Sequence, residues 1–269
     1  MGKFDGVLVM SDYDDTLLSL GGRVSEANKR AIRYLIQEGG RFGVATGRGY
    51  RAFVQQAREL PINAPCVLSN GASIYDFQKD RPVYETFLQA PEILQCLREL
   101  LERFPRLAFE SYHGHSIYAW NPNEVTERHM QRVMAQFQLC PPEEMPQPWS
   151  KVVLEEDHPV LEQAQRYVLD HWGELFESIF SNRYLLELTH KGSHKGGMVA
   201  RLARMLGIRP EHVYCVGDNQ NDLPMLEVSA IPFAPANCAQ EVRDWGATIL
   251  SSCDESCVAE LVGILDRIY

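Results

Sequence analysis

No stretch of this 269-residue chain approaches the ~20 consecutive apolar residues that a membrane-spanning helix needs, so a transmembrane segment is not expected. The opening "MGKFDGVLVMSDYDDT" carries an apolar run too short for a secretory signal, and Gly6 stands where a myristoylation signal requires Ser or Thr. Positive charge is also scarce. With 26 Lys and Arg against 36 Asp and Glu, the formal net charge is −10 and the pI is near 5.3. That balance leaves no basic stripe for a nucleic-acid backbone or an anionic membrane surface. The seven cysteines are odd in number and include no C-x-x-C pair, the pattern of reduced thiols and not of a disulfide framework. Cys253 and Cys257 lack the second pair that would make them a metal site. Solenoid repeats and low-complexity tracts are missing. These absences predict a soluble, cytoplasmic protein with small-molecule partners, and they leave the oligomeric state open.

What the sequence does contain is a regular alternation of strand and helix. "GVLVM" reads as a buried strand, "SEANKRAIRYLIQEGG" as a helix capped by Ser25 and stopped by Gly39 or Gly40, and "RFGVAT" as the next strand. "YRAFVQQAREL" is then a helix and "CVLSN" a third strand. The far end repeats the pattern: "KGGMVARLARMLGI" a helix, "HVYCVG" a strand, "NDLPMLEV" a short helix, "AIPFA" a strand and "DESCVAELVGILDRI" a closing helix. This order predicts an α/β fold with a doubly wound parallel sheet.

Between about residues 81 and 190 the rhythm changes. "LAFESYHGHSIYAWN" reads as two strands turning at Gly114, and "ESIFSNRYLLELTH" as two strands turning near Ser181 and Asn182. Neighbouring strands pair antiparallel, so residues 81–190 are expected to be an inserted α+β domain and residues 1–80 with 191–269 the parallel core. The Pro-rich "CPPEEMPQPW" is expected to be a loop of the insert.

Ligands bind beyond the carboxyl ends of the strands in open parallel sheets. Three such ends carry reactive residue types: "SDYDDT", "ATGR" and "GDNQNDLPML", with Lys195 at the start of the helix before the last of them. Each is a common turn or cap when taken alone. Their joint order resembles the haloacid dehalogenase superfamily, and within it the Cof-type sugar-phosphatase branch, whose members carry a large α/β cap. "DYDDT", "VATGR", "HKGGMVARLARMLGI" and "VGDNQNDLPML" carry the resemblance over nearly the whole chain, with "LSNGASIYD" matching the segment before the cap.

The resemblance implies a phosphatase that works through an aspartyl-phosphate, with Asp12 as nucleophile and Asp14 as the general acid and base. It implies Mg2+ held by the side chains of Asp12 and Asp218 and the carbonyl of Asp14, with Asn221 and Asp222 supporting bound water or Lys195. Thr46 and Gly47 are implied to hold the phosphoryl group, and Lys195 to neutralise it. Lys191 is the rival for that last role, disfavoured because Lys195 directly precedes "GGMVARL". Arg48, Asn70, Gly71, His113 and Arg183 are candidates for contact with a small phosphorylated substrate, most simply a sugar phosphate. Glu110 and Asn182 also lie near turns of the insert.

One departure from the family pattern stands out. Asp15 occupies the place of a Gly that usually allows positive φ, and Asp is among the few other residues that tolerate that region. Other residues have simpler readings. His113 and His115 would share a strand face, but no third ligand accompanies them, and His190 and His194 bracket a Gly-containing loop. Trp149 and Tyr184 are either cap core or a sugar-stacking wall. Two alternatives to a phosphatase stay open: a sugar phosphomutase using the same aspartyl-phosphate, and a non-catalytic sugar-phosphate sensor.

Overall fold

The computed structural model describes residues 2–114, 116–133 and 135–269. Its chain divides into two compact units, one of Met1–Gly47, Val54–Tyr84 and His194–Tyr269, the other of Arg48–Phe53 and Glu85–Ser193. In chain order the first elements are β1 (Leu8–Ser11), α1 (Glu26–Gln37), β2 (Arg41–Val44), α2 (Tyr50–Glu59), β3 (Cys66–Leu68), β4 (Ser73–Asp76) and β5 (Arg81–Glu85). Then come α3 (Ala90–Arg103), β6 (Ala108–His113), β7 (Ser116–Trp120), α4 (Glu124–Val133), β8 (Gln138–Leu139), β9 (Lys151–Glu155), α5 (His158–Trp172), β10 (Phe176–Asn182) and β11 (Leu185–His190). The chain closes with α6 (Lys195–Met205), β12 (Val213–Val216), α7 (Leu223–Glu227), β13 (Pro232–Ala234), α8 (Gln240–Trp245), β14 (Thr248–Ile249) and α9 (Cys257–Ile268).

The first unit is built on a five-stranded parallel sheet of order β14-β13-β12-β1-β2, which bears out the α/β class and parallel core expected from the sequence. β1 is wholly buried, as a strand paired on both sides and covered on both faces must be. Leu8 to Ser11 lie opposite Val213 to Val216 on one side and Arg41 to Val44 on the other. Three strands therefore end level, and the loops that follow them meet along one edge. α1 starts where Ser25 Oγ accepts the Asn28 N–H at 3.1 Å, and it turns Ile32 and Leu35 inward.

The third expected strand behaves differently. β3 pairs antiparallel with β4 in a separate sheet, β3-β4-β5, and reaches the parallel sheet through a bridge between Val67 and Ala45. Ser69 and Asn70, both at φ 51, and Gly71 at φ 110 turn the chain straight back, so a hairpin forms in place of a helical crossover. At the far end, α8 and the two-residue β14 are additions to the expected pattern. The closing helix begins at Cys257 because Ser256, at φ 73, interrupts it.

The second unit holds a six-stranded sheet of order β10-β11-β9-β6-β7-β8, antiparallel except where β8 runs parallel to β7. The β10 to β11 turn falls at Arg183 and Tyr184, slightly later than the sequence suggests, because Asn182 Oδ1 accepts the Tyr184 N–H at 2.8 Å. Strand alternation gives this sheet two unlike faces. Phe109, Leu154 and Leu188 pack with Ile93, Leu97, Leu161 and Val168 of α3 and α5. Glu110, Tyr112, Lys151, Glu155 and Glu187 occupy alternate positions on the other face. Trp149 is fully buried in the apolar cluster, which settles it as core, whereas Tyr184 remains exposed. His115 lies outside the described residues. Among the described residues, no helix is long and apolar enough to cross a membrane.

Candidate active site

The level ends of β1, β2 and β12 determine what comes together. The Asp12 N–H donates to the Val216 carbonyl at 2.9 Å, which fixes Asp12 at the join of β1 and β12. Ala45 N–H donates to Ser11 and Thr46 N–H to Val67, so Thr46 leaves β2 beside that join. Tyr13–Leu17 then form a tight turn. Asp14 lies in it with φ −70, and Asp15 takes φ 58, so the left-handed conformation survives the loss of the usual glycine. Asn237 Nδ2 anchors this turn by donating to the Asp15 carbonyl at 2.8 Å.

Lys195 is the first residue of α6 and is fully buried. Its Nζ lies 2.5 Å from Asp12 Oδ1 and 2.6 Å from Asp222 Oδ1. Two features bring it there. His194 Nδ1 caps α6 by accepting the Gly197 N–H at 3.1 Å. Gly196 lets α6 press against α7, since a Cβ at 196 would sit 1.9 Å from the Pro224 carbonyl oxygen. Lys191, the rival, is half-exposed in the second unit and pairs with Glu177 at 3.5 Å.

Asp222 is fully engaged. Its Oδ1 meets Lys195, and its Oδ2 accepts the N–H groups of Asp218 and Asn219 at 2.9 and 3.1 Å. Gly217 makes room for this fold-back, because a Cβ there would lie 2.5 Å from the Asp222 carboxyl carbon. Asp218 Oδ1 accepts the Thr16 hydroxyl at 2.8 Å, leaving Oδ2 for another partner. Thr16 is a residue that sequence reasoning passed over, although it closes the "DYDDT" motif. Asn221 Nδ2 donates to Asn70 Oδ1 at 3.1 Å, while Asn70 Nδ2 is buried without a hydrogen-bond partner. Gly47 faces that amide, and Gly71 packs on the His194 backbone.

Ligand oxygens of Asp12, Asp218 and Asp222 lie within 4.8 Å of one another. Burial, aided by the charges of Asp222 and Asp218 and opposed by Lys195, pushes Asp12 well above the usual carboxylate range. Burial and the Asp222 charge likewise raise Asp218 to about 7. Lys195 moves against its own burial, because Asp12 and Asp222 hold it above the ordinary lysine value. Three carboxylates thus face one ammonium, a surplus of negative charge suited to a hard divalent cation.

The remaining candidates lie in the second unit. Arg48 Nη1 donates to the Ala52 carbonyl at 3.2 Å, and His113 Nδ1 hydrogen-bonds the Pro148 carbonyl at 2.8 Å. Arg183 offers its carbonyl to His158 Nδ1 at 3.0 Å. Of the other histidines considered, His190 bonds the Lys191 carbonyl and His194 is the cap described above.

The chain matches the family model of haloacid dehalogenase-like hydrolases over residues 9–262. Among curated proteins it is 25% identical, over 93% of its own length and 95% of the relative's, to 5-amino-6-(5-phospho-D-ribitylamino)uracil phosphatase from Bacillus subtilis. A phosphatase of the same superfamily from Bacteroides thetaiotaomicron superimposes with TM-score 0.85 at 18% identity, covering 98% of this chain and 96% of that one. A sugar phosphatase of subclass IIB gives TM-score 0.83 at 20% identity, covering 97% and 99%. Those two likenesses concern the fold. The family match spans both the acid-bearing turn after β1 and the loop after β12, and on that ground the chain belongs to the haloacid dehalogenase-like hydrolases.

Proposed function

We propose that this phosphatase hydrolyses a small phosphorylated metabolite of the sugar-phosphate class, through a covalent phosphoryl group on Asp12. The observation that carries the reading is the buried Lys195 ammonium clamped between Asp12 and Asp222 at the ends of β1 and β12. That placement puts a fixed positive charge beside the oxygen nucleophile and beside the site of the transferring group.

In the first half-reaction Asp12 attacks phosphorus, the ester P–O bond breaks, and Asp14 gives its proton to the leaving alkoxide. In the second, Asp14 takes a proton from water, the resulting hydroxide attacks phosphorus, and Asp12 leaves as inorganic phosphate departs. Asn70 Nδ2, a buried donor with no partner, is suited to a phosphoryl oxygen, as is the Thr46 hydroxyl. Asp222 acts by positioning, since both its oxygens are spent on Lys195 and the Asp218 turn.

The donor set fits Mg2+. Asp218 Oδ2 and the second oxygen of Asp12 would be hard ligands in an acidic cluster, and the Asp14 carbonyl would be the third, as the resemblance implies. When bound, the ion supplies charge neutralisation that lets Asp12 ionise despite its burial. The second unit, with Arg48, His113 and Arg183, is assigned the choice of leaving group, because the first-unit residues named here address only the phosphoryl group. The seven free cysteines suit a reducing cytoplasm.

Phosphate release from hexose, pentose, polyol and nucleotide monophosphates, measured with Mg2+ and then with chelator, tests the reading. Chelator-sensitive release ranked toward sugar phosphates supports it. Release only when a sugar bisphosphate is added would indicate a mutase, and binding without release a sensor.

A further inference from the structure

The polar face of the second unit's sheet carries a cluster that the reaction does not use. Glu110 on β6 and Glu155 on β9 are both fully buried, and His129 on α4 projects onto them. His129 Nδ1 lies 3.2 Å from Glu110 Oε1 and 3.4 Å from Glu155 Oε1, and ligand atoms of the three residues fall within 4.8 Å of one another. We propose that Glu110, His129 and Glu155 form a second divalent-metal site, selective for zinc-class ions over Mg2+, that fastens α4 to the sheet.

Three observations carry this assignment. First, Glu155 Oε1 is buried and accepts no hydrogen bond, an orphaned carboxylate oxygen aimed into the cluster. Second, the outer oxygens are already held: Tyr112 Oη donates to Glu110 Oε2 at 2.7 Å, and the Thr126 hydroxyl donates to Glu155 Oε2. Both Oε1 atoms are thereby turned toward the imidazole, the arrangement outer hydrogen bonds impose on metal ligands. Third, His129 Nδ1 is hydrogen-bonded to Glu110 Oε1 at 3.2 Å and stands 3.4 Å from Glu155 Oε1, which it does not bond. Charge-assisted N–H···O bonds run about 2.7–2.9 Å, and one Nδ1–H cannot serve two carboxylates well. Ligands bound at about 2.0–2.1 Å in a tetrahedron stand about 3.3 Å apart, close to the two distances found here.

The imidazole ligand sets the selectivity, since Mg2+ prefers oxygen alone. The His129 side chain is 13% exposed, which gives an ion a way in and leaves the fourth position to water. The assignment stands independently of the reaction proposed above.

The test uses the untagged full chain, stripped with chelator and returned to millimolar Mg2+ so that the acidic site of the first unit is satisfied. Titration with Zn2+ by calorimetry is expected to show one equivalent bound, with a rise in Tm of a few degrees. Co2+ in its place should develop a visible absorption band. His129→Gln and Glu155→Gln should each weaken uptake by at least about 100-fold while phosphate release persists. No uptake by the wild-type chain overturns the proposal even if both variants fail to fold. Uptake undiminished in the folded variants overturns it too, by placing the ion on the surface.

Discussion

Gly196→Ala is expected to damage both stability and catalysis. The new Cβ would lie 1.9 Å from the Pro224 carbonyl oxygen, 2.3 Å from its carbonyl carbon and 2.9 Å from the Met225 nitrogen. Carbon and oxygen approach comfortably to about 3.3 Å, so α6 and α7 must separate by about 1.4 Å. The obstacle is backbone, which cannot swing aside as a flexible side chain would. Overpacking of this kind costs about 1–3 kcal/mol, and the upper end applies here. At about 2–4 °C per kcal/mol for a chain of this size, Tm should fall by roughly 5–10 °C. Lys195 precedes the substituted residue and must keep contacts of 2.5 and 2.6 Å to two carboxylates. A displacement near 1 Å costs on the order of 100-fold in rate, so kcat should fall by about that factor. Gly263→Ala is the matched control, because its Cβ would enter open space within α9. That change should stabilise by about 0.5–1 kcal/mol and leave kcat alone. Thermal melts and phosphate release on both variants decide the matter. A Gly196→Ala protein with wild-type Tm and kcat would falsify the close-packing account of how Lys195 is placed.

Four further outcomes are expected. Asp12→Asn should cut turnover by at least about 10³-fold while circular dichroism stays native, and full activity would remove Asp12 as nucleophile. Lys195→Met should abolish turnover and destabilise by about 3–5 kcal/mol, since it strands two buried carboxylates, whereas Lys191→Met should leave kcat within about twofold; the reverse ranking in phosphate release would move the role to Lys191. Asn70→Ala should lower kcat/KM about tenfold through loss of one donor, and an unchanged value would clear Asn70 of substrate contact. Asp218, raised to about 7, binds a proton in the folded metal-free protein that the unfolded chain has released, so its contribution to stability is lost as pH rises from about 4 to about 7. Mg2+ reverses that loss, and the Tm gap between Mg2+ and chelator should widen from about pH 5 to about pH 8; a gap independent of pH in wild type, or unchanged in Asp218→Asn, would contradict the cause given.

The sequence made the core fold legible because its signals are local. Ser25 caps α1, the run at residues 7–10 just before Ser11 and Asp12 is wholly apolar, and strand and helix alternate around both. The acid-bearing loops could be read for the same reason, as each sits next to its own strand. Elements were misjudged where a single backbone angle decides. β3 reads as one more parallel strand until Ser69, Asn70 and Gly71 turn it into a hairpin, and β14 is too short and exposed to leave an apolar pattern. Residues that act through space were hidden altogether. Nothing in sequence joins Thr16 to Asp218, 202 positions apart, or His129 to Glu110 and Glu155 on two strands. The demand for glycine at 196 and 217 is also invisible, because it arises from the backbone and side chains that lie against them.

The central place of β1 governs the order in which the protein can be made. β1 pairs with β2 soon after it leaves the ribosome, but its other neighbour, β12, is about 200 residues downstream. Until β12 emerges, β1 presents an open edge and Asp12 lacks the lysine 183 positions further on that balances its charge. The six-stranded sheet, drawn from the continuous stretch between β6 and β11, can close within that interval. The nascent chain therefore carries a finished inner unit and an unfinished outer one, and it is most open to aggregation and proteolysis during that wait. Arrest or truncation anywhere before Val216 leaves it there permanently, which makes the final quarter of the chain the part on which solubility of the whole depends.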